Sequence, residues 1–214
     1  MNETEQYILD KFGLTYDETA RMPIIIPNYG RDQMAQLFAE LGFKKIVEVG
    51  VCDGAYSKIL LEANPDAHIW GVDPFVPLRD YRDYTRRSTI DAYHQKAMDL
   101  LGSSPNYTFI KKLSMDAVHD FEDASIDAVY IDANHDFRHV TEDVDSWSKK
   151  VRPGGIIAGH DFAKTKGHSR MHVRHVIPAF TSAWGIAPWF VLGNDANDEG
   201  LIRDKSRSWM YARR

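Results

Sequence analysis

The chain has a single cysteine, Cys52, in 214 residues, which excludes an internal disulfide framework and suits a reducing cytosol. No apolar run approaches the roughly 20 residues that a membrane-spanning helix needs, and the acidic, polar stretch Met1 to Asp10 is unlike a signal peptide. Positive charge is also in short supply. The 26 Lys and Arg are outnumbered by 31 Asp and Glu, for a net charge of -5 and a pI near 6.0, so a nucleic-acid partner is not expected. There is no internal repeat, low-complexity tract or clear linker. What remains is the expectation of a soluble, cytoplasmic protein, with 43% apolar residues to build one sizeable core.

Periodicity divides the chain at about residue 42. Residues 3–12 and 30–42 read as helices, the second carrying Met34, Leu37, Phe38 and Leu41 at three- and four-residue spacing before Gly42. Between them, Met22 to Gly30 is apolar and bracketed by Pro23 and Pro27, which predicts a loop that packs over a ligand or a neighbouring subunit. Residues 1–42 are thus expected to be a helical extension, and 43–214 the main domain. From Lys45 onward strands near 45–50, 68–73, 107–112, 127–132 and 155–160 alternate with helices near 54–63, 86–101, 137–149 and 170–183. Two late apolar runs, Trp189 to Leu192 and Ser208 to Ala212, follow without a helix between them and read as an antiparallel pair. This pattern predicts an α/β fold: a Rossmann-like, doubly wound, seven-stranded sheet, mostly parallel with an antiparallel C-terminal strand and helices on both faces.

The stretch Lys44-Lys-Ile-Val-Glu48-Val-Gly50-Val-Cys52-Asp-Gly54 is an apolar strand with a carboxylate two residues before a glycine turn. A second strand ends at Asp73, placed to accept hydrogen bonds from a ribose diol. Pyrophosphate would lie close to Glu48, and Cys52 replaces the glycine that lets backbone approach a dinucleotide. A nucleoside with a cationic amino-acid end, such as S-adenosylmethionine, suits these acids better. An NAD(P)-dependent oxidoreductase is the first alternative, and a non-catalytic cofactor-binding relative the second.

Two later strands also end in chemistry. Asp127 to Asp132 runs into Ala-Asn-His135-Asp136, and Ile156 to Gly159 into His160-Asp161, after a predicted turn at Val151-Arg-Pro-Gly-Gly. Oxygen ligands suit Mg²⁺, and an added imidazole shifts the preference toward metals such as Mn²⁺. Such a cation would hold substrate hydroxyls and lower the pKa of one, with His135 placed to take the proton. The competing reading makes a strand-end Asp a helix cap and His160 the partner of a buried backbone group.

Through Glu48, Gly50, Cys52 and Gly54 the chain resembles the class I S-adenosylmethionine-dependent methyltransferases, whose first motif is an acid followed by alternating glycines; cysteine stands in the middle glycine's place. Residues 126–162 look like the subfamily that contains cephalosporin-hydroxylase-like and macrolide-sugar O-methyltransferases. That group has an Ile-Asp-x-x-His element, then Pro-Gly-Gly and a Gly-His-Asp-like strand end. The resemblance implies O-methylation of a small hydroxylated acceptor, a sugar, polyketide or similar, with Asp132, His160 and Asp161 on a divalent cation and His135 as base beside Asp132. His160 stands where metal-dependent relatives place an acid. The resemblance also places adenine recognition after the third strand, where Ser114 and Asp116 would hydrogen-bond adenine or cap a short helix and Met115 would pack on the adenine face.

Four further features remain at this level. Arg79, Arg82 and Arg86 follow Asp73 and would receive an anion or form a solvated face with neighbouring acids. His168, His172 and His175 share helical spacing, read as a solvated or subunit-facing stripe rather than zinc ligands. Cys52 reads as a packing residue. The Ile24 to Ile26 run would suit a symmetric contact in a homo-oligomer.

Overall fold

Successive strand residues point to opposite faces of a sheet, and both faces of this one are buried. The computed structural model describes residues 1–78, 81, 84–164, 170–194, 199–204 and 206–214. One core gathers Ile46, Ile69, Ala128, Ile156 and Phe190 with helices α1 (Glu3–Lys11), α2 (Arg31–Glu40), α3 (Ala55–Ala63) and α4 (Arg87–Leu101). The alternate residues Val47, Val72, Val129, Ile157 and Val191 face the other core. It is closed by α5 (Ser114–Ala117), α6 (Phe137–Lys150) and α7 (Val173–Ala183).

The strands are β1 (Ile24–Ile26), β2 (Lys45–Val49), β3 (His68–Val72), β4 (Tyr107–Ile110), β5 (Ile126–Ile131), β6 (Val151–Gly159), β7 (Phe190–Leu192) and β8 (Ser208–Ala212). Their order is β1-β7-β8-β6-β5-β2-β3-β4. All neighbours are parallel except β8, which runs antiparallel to both β6 and β7. The fold class expected from the pattern is the one observed.

Two details differ from the expectation. Among the described residues the sheet has eight strands rather than seven, because Ile24–Ile26, predicted as loop, pairs with β7 at the sheet edge. Three residues between prolines carry no readable alternation, and an edge strand tolerates flanking prolines. The predicted turn at Val151-Arg-Pro-Gly-Gly lies within β6 instead, as an irregularity in its pairing with β5. Gly155 belongs there because a Cβ would sit 2.3 Å from the Asp127 carbonyl oxygen.

The first 42 residues join the same cores. Ile8 and Leu9 of α1 are buried, and Thr4 Oγ1 donates to the Gly154 carbonyl at 2.6 Å. Helix α2 packs on α3, where Asn64 Nδ2 donates to the Ala35 carbonyl at 2.9 Å. Among the described residues no helix is long and apolar enough to cross a membrane.

Candidate active site

Register brings four strand ends to one edge. Val49 pairs with Val72 and Ile131, and Ile131 with Gly159, so Gly50, Asp73, Asp132 and His160 leave the sheet side by side. Strand order reverses between β2 and β5, and such a switch point opens a crevice above the strand ends. A cavity of about 700 Å³ lies there. Glu48, Gly50, Cys52, Asp73, Ser114 and Asp132 all line it.

The turn after β2 is hydrogen-bonded to itself and to β3. Gly50 N–H donates to the Val72 carbonyl and Gly54 N–H to that of Val51, each at 2.9 Å. Val51 and Cys52 N–H both donate to Asp73 Oδ2 at 3.1 Å, and Ala55 N–H to Asp53 Oδ1 at 3.2 Å. A phosphate-binding turn needs such donors free; here five are consumed. Gly50 has φ +98°, and a Cβ on it would lie 2.0 Å from the Asp132 carbonyl oxygen, so β2 and β5 meet tightly at this point. Gly54 faces α4 rather than the cavity: its Cβ would be 2.9 Å from Leu101 Cδ1. Cys52 adopts φ +52°, the left-handed region that a glycine enters freely. Burial pushes its thiol up to about 11, which leaves it a packing residue.

Glu48 is 1% exposed and accepts a hydrogen bond from Ser57 Oγ. Burial pushes it up to about 8, against the Ser57 hydroxyl and with the Asp132 charge. Asp73 is also buried and its pKa is raised, chiefly by burial. Its Oδ2 takes a third donor, Tyr84 OH at 2.7 Å, and Oδ1 takes Phe75 N–H at 2.9 Å. The ribose acceptor expected from sequence is therefore also the post that holds the glycine turn.

At the far end of the cavity Ser114 Oγ donates to Asp143 Oδ1 at 2.5 Å and accepts from Trp147 Nε1 at 2.8 Å. Asp143 is 3% exposed and is pushed up to about 6 by burial, with Ser114 opposing. Asp116, expected beside Ser114, is exposed on α5 and lies outside the cavity wall. Two residues further along a helix of about 3.6 residues per turn, its side chain points away from Ser114's face.

At the β5 and β6 ends Asp132, His135 and Asp161 bring ligand atoms within 4.8 Å of one another. His135 Nε2 lies 2.8 Å from Asp161 Oδ2 and 3.6 Å from Asp132 Oδ1, yet it is buried and makes no in-line hydrogen bond. Burial alone would depress the His135 pKa; the two acids outweigh it and raise it to about 10. His160 Nδ1 is 3.7 Å from both acids, and its Nε2 is 3.6 Å from Asp204. Burial opposes its charge as well, and Asp161 and Asp204 carry it up to about 9. Burial would raise Asp161, but His135 and His160 hold it far below the usual carboxylate range. Asp161 has φ +58°, a costly conformation that turns the chain at the end of β6. The helix cap in this region is Asp136, which accepts from His139 N–H at 3.0 Å, so Asp132 is not spent on capping.

Several residues here escaped the sequence reading. Arg31, at the start of α2, borders the cavity with Nη1 3.5 Å from Asp132 Oδ2. Tyr81 OH donates to the Ala133 carbonyl at 3.0 Å. His172, expected in a solvated stripe, accepts from Phe137 N–H at 2.8 Å and donates its own N–H to the His135 carbonyl at 2.7 Å, so it steadies the His135 loop. His175 is exposed, as is Arg86; Arg79, Arg82 and His168 lie outside the described residues. No local motif marks Arg31 or Tyr81, and Asp143 is one acid among several on the helix predicted near 137–149.

Residues 47–162, more than half of the chain, match the sequence model of a family described as a methyltransferase domain. No curated protein matches the chain by sequence. Solved structures share the fold. An O-methyltransferase family protein from Burkholderia thailandensis is 17% identical at a TM-score of 0.56, over 85% of this chain and 55% of that one. This chain therefore spans little more than half of that relative. A Klebsiella pneumoniae protein assigned to the O-methyltransferases is 15% identical at 0.59, over 100% and 91%. TomG of Streptomyces achromogenes, an O-methyltransferase involved in tomaymycin synthesis and solved with S-adenosylmethionine, is 16% identical at 0.56, over 100% and 91%.

Proposed function

Because the chain belongs to the class I S-adenosylmethionine-dependent methyltransferases, we propose that it methylates a hydroxyl of a small-molecule acceptor, with a divalent cation at Asp132 and Asp161. The observation that carries this reading is the pairing of a strand-end cavity, most of whose glycine-turn donors are consumed, with a half-buried acid and histidine cluster beside it. A phosphate-bearing dinucleotide would find five of that turn's N–H donors already engaged, whereas S-adenosylmethionine carries no phosphate to need them. When bound, it supplies an electrophilic methyl group on a sulfonium.

His135 is the proposed base. Its Nε2 points between two carboxylates without an in-line partner, which fits a proton or an acceptor hydroxyl arriving at the same acids. A cation held by those acids would supply positive charge that stabilises the acceptor oxyanion and offsets their hold on the imidazole proton. With that hold relieved, burial favours neutral His135, the form that accepts a proton. The acceptor hydroxyl would give its proton to Nε2, leaving an oxyanion able to receive the electrophilic methyl group that the bound cofactor would supply. His160, backed by Asp204, keeps the acids oriented from the β6 side. Sugars and polyketides are the acceptor classes this reading favours.

Calorimetric titration of the metal-stripped protein with S-adenosylhomocysteine, and separately with NAD, tests it, each repeated with Mg²⁺ or Mn²⁺. Saturable binding of S-adenosylhomocysteine alone is expected, with a metal heat that Asp132→Ala removes. Saturable NAD binding instead would overturn the reading.

A further inference from the structure

S-Adenosylmethionine ends in an amino acid, so its site must accept a carboxylate as well as an ammonium and a sulfonium. Asp132 suits the two cations and repels the carboxylate, and Glu48 does the same once an arriving cation displaces the proton that burial holds on it. The glycine turn offers the carboxylate little, since the N–H groups of Gly50, Val51, Cys52, Gly54 and Ala55 are engaged elsewhere. A cationic side chain must then receive it.

Among the described residues that line the cavity, those able to carry positive charge are Arg31, Arg138 and His139. Arg138 and His139 sit on α6 near Asp143, at the Ser114 end. Arg138 is paired with Glu142 at 2.8 Å with its side chain 77% exposed, and His139 Nδ1 with Asp136 at 2.8 Å. Arg31 stands at the other end, with Asp132 and Tyr56. Its guanidinium carbon lies 5.2 Å from the centroid of the Tyr56 ring. Tyr56 is 4% exposed and its hydroxyl donates to the Arg31 carbonyl at 3.0 Å, so ring and backbone contacts together hold Arg31 beside the cavity. Nη1 is 3.5 Å from Asp132 Oδ2 and Nε 4.0 Å from Asp32 Oδ1, both beyond good hydrogen-bonding distance. The planar fork is thus held at the cavity without a close hydrogen bond to either acid, and it matches a carboxylate with two parallel hydrogen bonds.

We infer that Arg31 binds the carboxylate of the cofactor's amino-acid end, an inference that rests on S-adenosylmethionine being the cofactor. The cofactor's direction follows: amino acid at Arg31 and Glu48, ribose at Asp73, adenine at Ser114, Met115 and Asp143. Arg31 also makes the site selective for the carboxylated cofactor over its decarboxylated analogue, which keeps both cations.

Binding of S-adenosylmethionine and of decarboxylated S-adenosylmethionine to the wild-type protein, Arg31→Gln and Arg31→Lys decides the matter. The wild type is expected to prefer the carboxylated ligand by on the order of 10- to 100-fold, the size of a charge-assisted contact. Arg31→Gln should lose that preference by weakening S-adenosylmethionine alone, with the analogue changed less than about twofold; Arg31→Lys should fall between. Equal binding of both ligands by the wild type, or a preference that survives in Arg31→Gln, overturns the assignment while leaving the cofactor in place. Parallel loss of both ligands in Arg31→Gln and Arg31→Lys also overturns it, by making Arg31 a support of the fold. Failure of the wild type to bind either ligand removes the cofactor reading itself.

Discussion

Glu48 is the residue whose environment departs most from its chemistry: a carboxylic acid with almost no contact with water, one hydroxyl donor and a second acid nearby. Its folded pKa of about 8 exceeds the ordinary 4.5, so the folded protein holds a proton there that the unfolded chain releases. That contribution is fully present below about pH 4.5 and is lost as pH rises through 8. Glu48→Gln should therefore gain stability over the wild type between pH 5 and 8, on the order of a few kcal/mol at the upper end. Urea midpoints at three pH values would read it, and a constant difference would count against the assignment. Cys52 offers the opposite case, a backbone cost rather than an electrostatic one. Its φ of +52° is relieved by Cys52→Gly, which should raise stability by up to about 1 kcal/mol with cofactor binding retained.

Among elements, α5 has only four residues and cannot hold itself in place; α6 holds it. Ser114 bridges Asp143 and the indole of Trp147, so the wall of the cavity depends on a hydrogen-bonded latch between the two helices. Ser114→Ala leaves a buried carboxyl and an indole N–H without this partner, at a cost of about 1–3 kcal/mol. Thermal unfolding should show that loss together with weaker S-adenosylhomocysteine binding; an unchanged melting temperature would remove the latch. The same dependence on neighbours explains why the sequence offered α5 only as one alternative, a short helix capped by Ser114 or Asp116. A one-turn helix has no periodicity, and β1, with three residues, has none either.

At the scale of the molecule, the parallel register converts four separate strand ends into one site, and the strained turn at Asp161 completes it. Asn tolerates the left-handed region better than most residues, so Asp161→Asn should fold as the wild type does while losing one charge of the cluster. Calorimetric titration with Mn²⁺ should show at least tenfold weaker binding in that variant, as expected for a lost charged ligand, with circular dichroism unchanged. Wild-type affinity in Asp161→Asn would take this carboxylate out of the proposed cation site.

Alternation of apolar strands and amphipathic helices was enough to specify the layered α/β fold, because burial on both sheet faces leaves few other arrangements. The strand-end residues Glu48, Gly50, Asp73, Asp132, His135 and Asp161 were legible for the same reason: a parallel sheet sends every strand's carboxyl end to one edge. Only the tertiary structure brought Arg31 from the start of α2, Asp143 from the face of α6 and Asp204 from the β7–β8 connection to that edge. It also turned Asp116 outward and gave His172 a role beneath His135. Those placements depend on how helices and connections pack over the sheet, and packing between segments distant in sequence leaves no local pattern to read.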